Sequence, residues 1–527
     1  MIKGLSLIIF LAVLITGFYY LDITSSQNSS PFLLLLLTLF RMFFALLLSL
    51  AFGLFFGYLA ARSSRAERLV IPVLDILQSV PIVGFFPLVF VLFLTTFPGL
   101  IGIELSCIFL IFTSMAWNLA FGVFESWKTR DPALDEVANS FGLTNKLKFL
   151  KVFLPSVSPT LIYNSILSWS IAWFFLLVSE VISVGNSTNY VHGVGSFLAF
   201  SAIQGNLPNT LIGLGLILSS VLFIYVFVWK PLLKWSKSYY LKPEKSIFIP
   251  RYYNDFYEFL GNFLSEAVKE VFEILFFFYD IIKPYRKKIL YGLFYILILG
   301  SLYFVLQTAY YLFSYGFDSS LSSIPLAILY SFLRILIAYL LSLLWIFPVC
   351  FLIYKYKLSF FDVISQAISS LPASALFPLI ALVFSGGILS EVGVIIMIML
   401  GMMWYLFFNV LAGFNSIPSD LEEASKVFKL NSFLYFKRVL FPAVIPSLIV
   451  GSITAWGAGW NALVISEVAS FGHTTYHQLG IGSLLVDSVA KGSQASTGVI
   501  IIVFVLVVLL LNKVVWKKLL SHKLRVN

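Results

Sequence analysis

Four ionisable residues stand inside long apolar runs, where a charge is costly and faces protein or water rather than lipid. Arg41 closes Thr38-Leu-Phe-Arg41 and Arg334 closes Ser331-Phe-Leu-Arg334, while Glu180 follows Ser179 and Glu467 follows Ser466. Two kinds of chemistry fit them. The guanidinium groups can draw an anion into a polar route, or each Arg can pair with the Glu of one half and lock helices together; the pairing is the favoured reading. Trp173 and Trp460 occupy matched depths, either lining such a route or closing a gap between helices. Asn461 replaces Phe174 in the second copy, which predicts an asymmetric lining. No nucleophile–base set is visible. His192, His473, His477 and His522 have no metal-ligand spacing on a common helix, and no Gly-x-x-x-x-Gly-Lys-Ser/Thr occurs, so neither a metal nor a P-loop nucleotide is expected on this chain.

Two charged loops carry the strongest pattern. The first runs Asp131-Pro-Ala-Leu-Asp-Glu136-Val-Ala138-Asn-Ser-Phe-Gly142 and reaches Leu154-Pro155; the second runs from Ile417 through Glu423-Ala424-Ser425 to Lys429 and reaches Phe441-Pro442. Asp131-Pro132 and Ser419-Asp420 are helix-start signals with acidic residues in the first turn. Each loop therefore predicts a short helix, a stop near Gly142 or Lys429, and a second apolar-basic helix leading into the next span. A short helix with an exposed acidic and small-residue face suits docking against another protein.

The loops are copies of one another. Trp117 and Trp404 lie 287 residues apart, and the same offset relates Glu136 to Glu423, Pro155 to Pro442, Trp169 to Trp456, Trp173 to Trp460, Glu180 to Glu467, Gly193 to Gly480, Gly195 to Gly482 and Trp229 to Trp516. Upstream the offset drifts to 291 for Pro81 and Pro372 and to 293 for Arg41 and Arg334.

This doubled pattern resembles the EAA loop of ABC importer permeases, in which Glu-Ala-Ala is followed by Gly and a later hydrophobic-Leu-Pro. The first copy keeps Glu136, Ala138, Gly142 and Leu154-Pro155, with Val137 for the first Ala; the second keeps Glu423, Ala424 and Pro442 but has Ser425 and Lys429. A turn that needs positive φ is strained by Lys, so the two docking sites are expected to differ. Arg41, Arg334, the Ser-Glu-Val segments after Trp173 and Trp460, and Gly193-Val-Gly195-Ser196 with Gly480-Ile-Gly482-Ser483 look like the nitrate/sulfonate/taurine group, and the fused arrangement looks like its duplicated anion-type members. The resemblance implies uptake of a small anion through a prokaryotic cytoplasmic membrane. It further implies a separate ATPase dimer that binds ATP and magnesium on the cytoplasmic face, and an extracytoplasmic solute-binding protein on the other.

The elements that must position these residues are transmembrane helices, each needing about 20 apolar residues. Candidates fall at about 4–21, 32–60, 80–98, 102–124, 157–183 and 207–230, then at about 289–313, 324–354, 372–389, 391–412, 444–469 and 496–516. Basic clusters follow every second one, while the loops on the other side are poor in charge. This places both termini in the cytoplasm and both copies the same way up. The expected fold is an all-α polytopic membrane protein of two tandem six-span modules. The first module covers residues 1–230 with its loop at 131–155, a cytoplasmic linker with an amphipathic surface helix covers 231–288, and the second module covers 289–527 with its loop at 417–442.

Composition agrees. Of 527 residues, 60% are hydrophobic and 11% charged, too few charges to cover a water-facing surface. The net +10 is the excess expected of short cytoplasmic loops rather than a nucleic-acid footprint. Cys107 and Cys350 lie in apolar stretches and read as core residues. The first apolar run, Met1 to Leu21, lacks a small-residue cleavage site and reads as a retained span. A twelve-span secondary transporter working without an ATPase is the alternative; it predicts charged motifs in the loop after the second span, where this chain has only Arg62, Arg65 and Arg68 as a cluster.

Overall fold

The structure, a computed structural model, describes residues 30–237 except 63, 80–81, 130–132 and 185–186. It also describes residue 259 and residues 286–516, except 316–318, 359–372 (of which 361, 365, 368 and 369 are described), 385, 416, 418–420, 422, 424, 426, 429–430 and 472–473. The expected first span at 4–21 lies outside the described residues, as does the expected linker helix apart from Phe259.

In the first half, α1 (Pro31–Arg62) and α2 (Ser64–Ser79) lead to α3 (Ile82–Thr96) and α4 (Leu100–Thr129). The short helix α5 (Ala133–Ser140) precedes α6 (Leu154–Glu180), then the hairpin β1 (Val181–Val184) and β2 (Ser187–Tyr190), then α7 (Val194–Ile203) and α8 (Leu207–Ile224). The second half opens with α9 (Arg286–Tyr315) and α10 (Ile324–Tyr356), followed by α11 (Ala373–Val383), α12 (Ile388–Asn415) and α13 (Phe441–Glu467). It closes with β3 (Val468–Phe471), β4 (Thr474–His477), α14 (Ile481–Ala490) and α15 (Gln494–Leu511).

The long helices follow from composition. α1 has no acidic residue in its first turn and opens on Pro31, whose fixed φ suits a first helical position. Eight described helices are long and apolar enough to cross a membrane: Pro31–Ala61, Leu100–Lys128, Lys151–Glu180, Leu207–Leu233, Leu321–Tyr356, Ile388–Asn415, Phe436–Glu467 and Ala495–Val515. Twelve had been expected. Two of the expected spans are shorter than a bilayer requires: α3 has 15 residues and α11 has 11. The expected span at 372–389 is cut by Gly386 and Gly387, both with positive φ, after which α12 begins.

Three features correct the sequence reading. The basic stretch after the first described span is the helix α2, not a loop. Its Ala66, Val70 and Leu74, four residues apart, are buried against Leu59, Ala60 and Ala120, and Glu67 pairs with Lys128 at 2.7 Å. α2 has only 16 residues and carries Arg65, Glu67, Arg68 and Asp75, so it is too short and too charged to read as a span. The segments that follow α6 and α13 are not featureless either; each holds an antiparallel hairpin, Val181 opposite Tyr190 and Val468 opposite His477, so the described residues include two small β elements that the all-α expectation omitted. Finally, helical structure continues beyond α8 through Tyr225–Trp229 and Lys230–Lys237, and α9 starts at Arg286, so it reaches into both ends of the expected linker.

The two short helices bind the halves together. α3 packs against α13 and α14 of the other half, and α11 packs against α6 and α7. Ile82, Phe86 and Phe90 of α3 share one apolar cluster with Trp460, Leu463 and Ile481, while Ala375 of α11 joins the first half's cluster around Trp173.

Candidate functional site

The buried charges form a network that occurs twice. Arg41 reaches Glu104 with two donors, Nε to Oε2 at 2.6 Å and a terminal nitrogen to Oε1 at 2.5 Å. The other terminal nitrogen donates to Glu180 Oε1 at 3.0 Å and to the His192 carbonyl at 2.8 Å. Thr38 Oγ1 donates to the same Glu180 oxygen at 2.7 Å and accepts from the Val194 N–H at 2.9 Å. The Gly195 N–H fills Glu180 Oε2 at 2.7 Å.

The second half repeats each contact. Arg334 grips Glu391 with two donors at 2.8 and 2.7 Å, and reaches Glu467 at 2.8 Å and the Leu479 carbonyl at 2.9 Å. Ser331 stands for Thr38, donating to Glu467 at 2.7 Å and accepting from the Ile481 N–H at 2.9 Å; the Gly482 N–H completes Glu467 at 2.9 Å.

Each network ties four elements: in the first half α1, α4, α6 and the start of α7. One guanidinium faces two carboxylates, an imbalance that the N-terminus of α7 or α14 offsets by pointing backbone N–H groups at the buried Glu. Glycines make room for this. A Cβ on Gly193 or Gly480 would overlap the Glu180 or Glu467 carboxylate. Both glycines are extended, with φ of −174° and −170°, so the demand is for space rather than for a special backbone conformation. Gly193→Ala is expected to lower stability by roughly 1–3 kcal/mol, the usual cost of overpacking. Gly215→Ala, where nothing lies within 4 Å of the added carbon, should be neutral or mildly stabilising. Thermal unfolding of both variants in detergent checks the contrast.

The structure therefore brings Arg41 to Glu180 and Arg334 to Glu467, and adds Glu104 and Glu391, which sequence reasoning missed. Their own spacing could have found them, since 104 and 391 differ by the same 287 as the other pairs. The halves are unequal here: the Glu104 side chain is 10% exposed and that of Glu391 39%. Trp173 and Trp460 are both buried but lie in different apolar clusters; Trp460 packs edge-on against Phe504 at 5.4 Å. Asn461 sits at the contact between halves, its Oδ1 accepting from the Ile82 N–H at 2.7 Å.

At the opposite end of the long helices, α5 presents its outward face. Ala138 is buried while Leu134, Glu136, Val137 and Phe141 are exposed, Phe141 by 78%. Gly142, at φ +61°, ends the helix, with the Leu143 N–H returning to the Ala138 carbonyl at 3.1 Å. In the second loop Leu421, Glu423 and Phe428 are exposed likewise, whereas Ala424 and Lys429 lie outside the described residues. Behind α5, Phe149 and Phe153 pack on Tyr58 of α1 and Trp127 of α4, with Tyr58 to Phe153 at 4.5 Å and Trp127 to Phe153 at 4.9 Å. Phe436 with Phe351 and Phe414 takes the corresponding place in the second half.

Two like helical bundles, each tied at one end by buried charge and presenting exposed apolar side chains at the other, fit a membrane transport subunit. Residues 49–230 and 355–521 match the family described as binding-protein-dependent transport system inner membrane component, and the chain belongs to that family. It is thus a multi-pass inner-membrane permease component of an ABC transport system, a non-catalytic subunit, and two matched segments point to duplication.

Among similar proteins, nitrate import permease protein NrtB of Leptolyngbya laminosa is 32% identical over 154 residues, covering 29% of this chain and 52% of that protein. Putative aliphatic sulfonates transport permease protein SsuC of Escherichia coli is 28% identical over 149 residues, 28% of this chain and 52% of that one. Bicarbonate transport system permease protein CmpB of Synechococcus elongatus is 27% identical over 94 residues, 18% and 32% respectively. The chain spans about half the length of the first two relatives it matches and about a third of the last.

Proposed function

We propose that this one chain supplies both halves of the translocation pathway of an ATP-driven importer for a small anion of the nitrate or sulfonate kind. The pathway would run between the halves and open alternately to the two sides. In this reading both termini are cytoplasmic, modules at 1–230 and 289–527 are joined by a linker at 231–288, and an ATPase pair docks at the loops 131–155 and 417–442.

The observation that carries it is the doubled set of exposed apolar side chains. Leu134 and Leu421 are 42% and 46% exposed, Phe141 and Phe428 78% and 76%, each pair at the repeat offset. Apolar side chains that protrude at matched places beside charged residues suit a protein partner with two like grooves. Glu136, Ala138, Gly142, Glu423, Ala424 and Lys429 belong to that docking face or its frame.

The anion follows from the names of the relatives and from the fused anion-type pattern. The geometry supports Arg41 and Arg334 as structural ties rather than anion guides, because carboxylates and a backbone carbonyl occupy their donors. Neither Trp173 nor Trp460 needs to touch solute; each fits a role in filling its own bundle.

Reconstitution tests the reading. The chain with its ATPase and binding protein should take up nitrate or an alkanesulfonate only with ATP, and the chain alone should move neither. Full-rate movement by the chain alone would instead establish the ATPase-independent transporter.

A further inference from the structure

Two hydrogen bonds cross between the halves at places related by the repeat. In one, Asn461 Oδ1 of α13 accepts from the main-chain N–H of Ile82, the first residue of α3, at 2.7 Å. In the other, Ser374 Oγ, next to the first residue of α11, reaches the main-chain carbonyl of Phe174 in α6 at 3.4 Å. Phe174 and Asn461 are the same position of the two copies, 287 apart.

The two contacts differ in kind. Ile82 N–H is one of the donors that a helix start leaves without an intrahelical partner, and a side-chain amide oxygen satisfies such a donor well. The Asn461 amide is itself held, because its Nδ2 donates to the Gly457 carbonyl at 3.0 Å, which aims Oδ1 across the boundary. On the other side Phe174 offers no side-chain acceptor. It meets α11 by ring packing on Phe377 at 5.9 Å, and the Ser374 bond is at the long limit. One seam between the halves is therefore pinned by a directed bond and the other is closed by apolar contact. Asn461 lies six residues, about 9 Å along the helix, from Glu467, whose ion pairs hold the outer end of the second bundle.

We propose that Asn461 is a positioning residue of the transport cycle: its bond to the α3 start holds the two halves in register while this seam is closed, and the bond must part for the halves to separate. This rests on the reading of the chain as an ATP-driven permease with a pathway between its halves. Leucine at 461 keeps the volume and loses the acceptor; aspartate keeps the acceptor.

The test uses the full assembly in lipid nanodiscs and proteoliposomes, comparing ATP hydrolysis without and with the binding protein and uptake per ATP. Asn461→Leu should raise hydrolysis in the absence of binding protein several-fold and lower uptake per ATP by a like factor, while Asn461→Asp stays within about twofold of the wild type. A wild-type profile in Asn461→Leu, or equal impairment in both variants, would overturn the proposal. So that poor assembly of the leucine variant cannot hide the answer, Ile82→Cys with Asn461→Cys is oxidised in a chain whose Cys107 and Cys350 are replaced by alanine. Cross-linking should arrest uptake and reduction restore it; uptake that continues in the cross-linked chain, or failure of the pair to cross-link, would also refute it. Because the wild type runs in parallel, a failure here is separable from a failure of the importer reading, which would remove ATP-driven uptake from the wild type as well.

Discussion

Arg41→Met is expected to destabilise the chain by about 3–5 kcal/mol, the cost of leaving buried charges without their partner. The substitution keeps an apolar stem of similar length but strands Glu104 and Glu180, whose side chains are 10% and 0% exposed. Four donor contacts vanish together, and with them the tie between α1, α4, α6 and the loop before α7. Arg334→Met removes the same contacts in the second half, yet Glu391 is 39% exposed and can be solvated in part, so its penalty should be smaller. The triple variant Arg41→Met, Glu104→Gln, Glu180→Gln should recover a substantial part of the loss, because the harm lies in the orphaned charges rather than in the absence of an ion pair. Yield of monodisperse protein and thermal midpoints in detergent order the three. If Arg41→Met melts with the wild type, the network is not what holds this end of the bundle.

Much of that network is legible in the amino-acid sequence alone. Arg41, Arg334, Glu180 and Glu467 announce themselves because a charge inside an apolar run must be answered by something. The residues that answer them are quieter. Glu104 and Glu391 sit near helix starts, where a carboxylate passes for an ordinary interfacial residue, and only the fixed offset distinguishes them. Thr38, Ser331 and the Gly-x-Gly-Ser segments read as a family pattern without a reason; the structure supplies one, since hydroxyl, N–H groups and missing side chains all converge on one carboxylate.

The long helices were legible for the same reason that lipid permits little else. The short ones were not. α3 and α11 are apolar enough to look like spans, but their partners are on the other half, hundreds of residues away, and no local period reports that. α2 escaped for a different reason, because Arg65, Glu67, Arg68 and Asp75 interrupt its apolar residues within only 16 positions. The hairpins that pair Val181 with Tyr190 and Val468 with His477 escaped because Val-Ile-Ser-Val and Val-Ala-Ser-Phe are too short to rise above the apolar helices that precede them.

Phe141→Ser together with Phe428→Ser should cut retention of the ATPase by at least about tenfold, while leaving the bundle intact. Large aromatic anchors at the centre of a contact commonly contribute 2 kcal/mol or more, and 1.4 kcal/mol is a factor of ten in affinity. Both rings are more than three-quarters exposed, so their removal costs the isolated chain little. Pull-down from membranes measures retention, and an unchanged melting temperature shows that the loss is one of docking. Phe149→Ala makes the complementary case. Its ring is buried behind α5 and stacks on Phe153, which in turn meets Tyr58 and Trp127 of two spans. Docking should survive that change while uptake per ATP falls, because what is removed is the packed route by which a displaced α5 moves α1 and α4. A push travels only through groups in contact, and a cavity at Phe149 lets the short helix shift without its neighbours. If Phe149→Ala loses the ATPase as completely as the double serine variant, the aromatic cluster serves to fold the docking helix and not to transmit its movement.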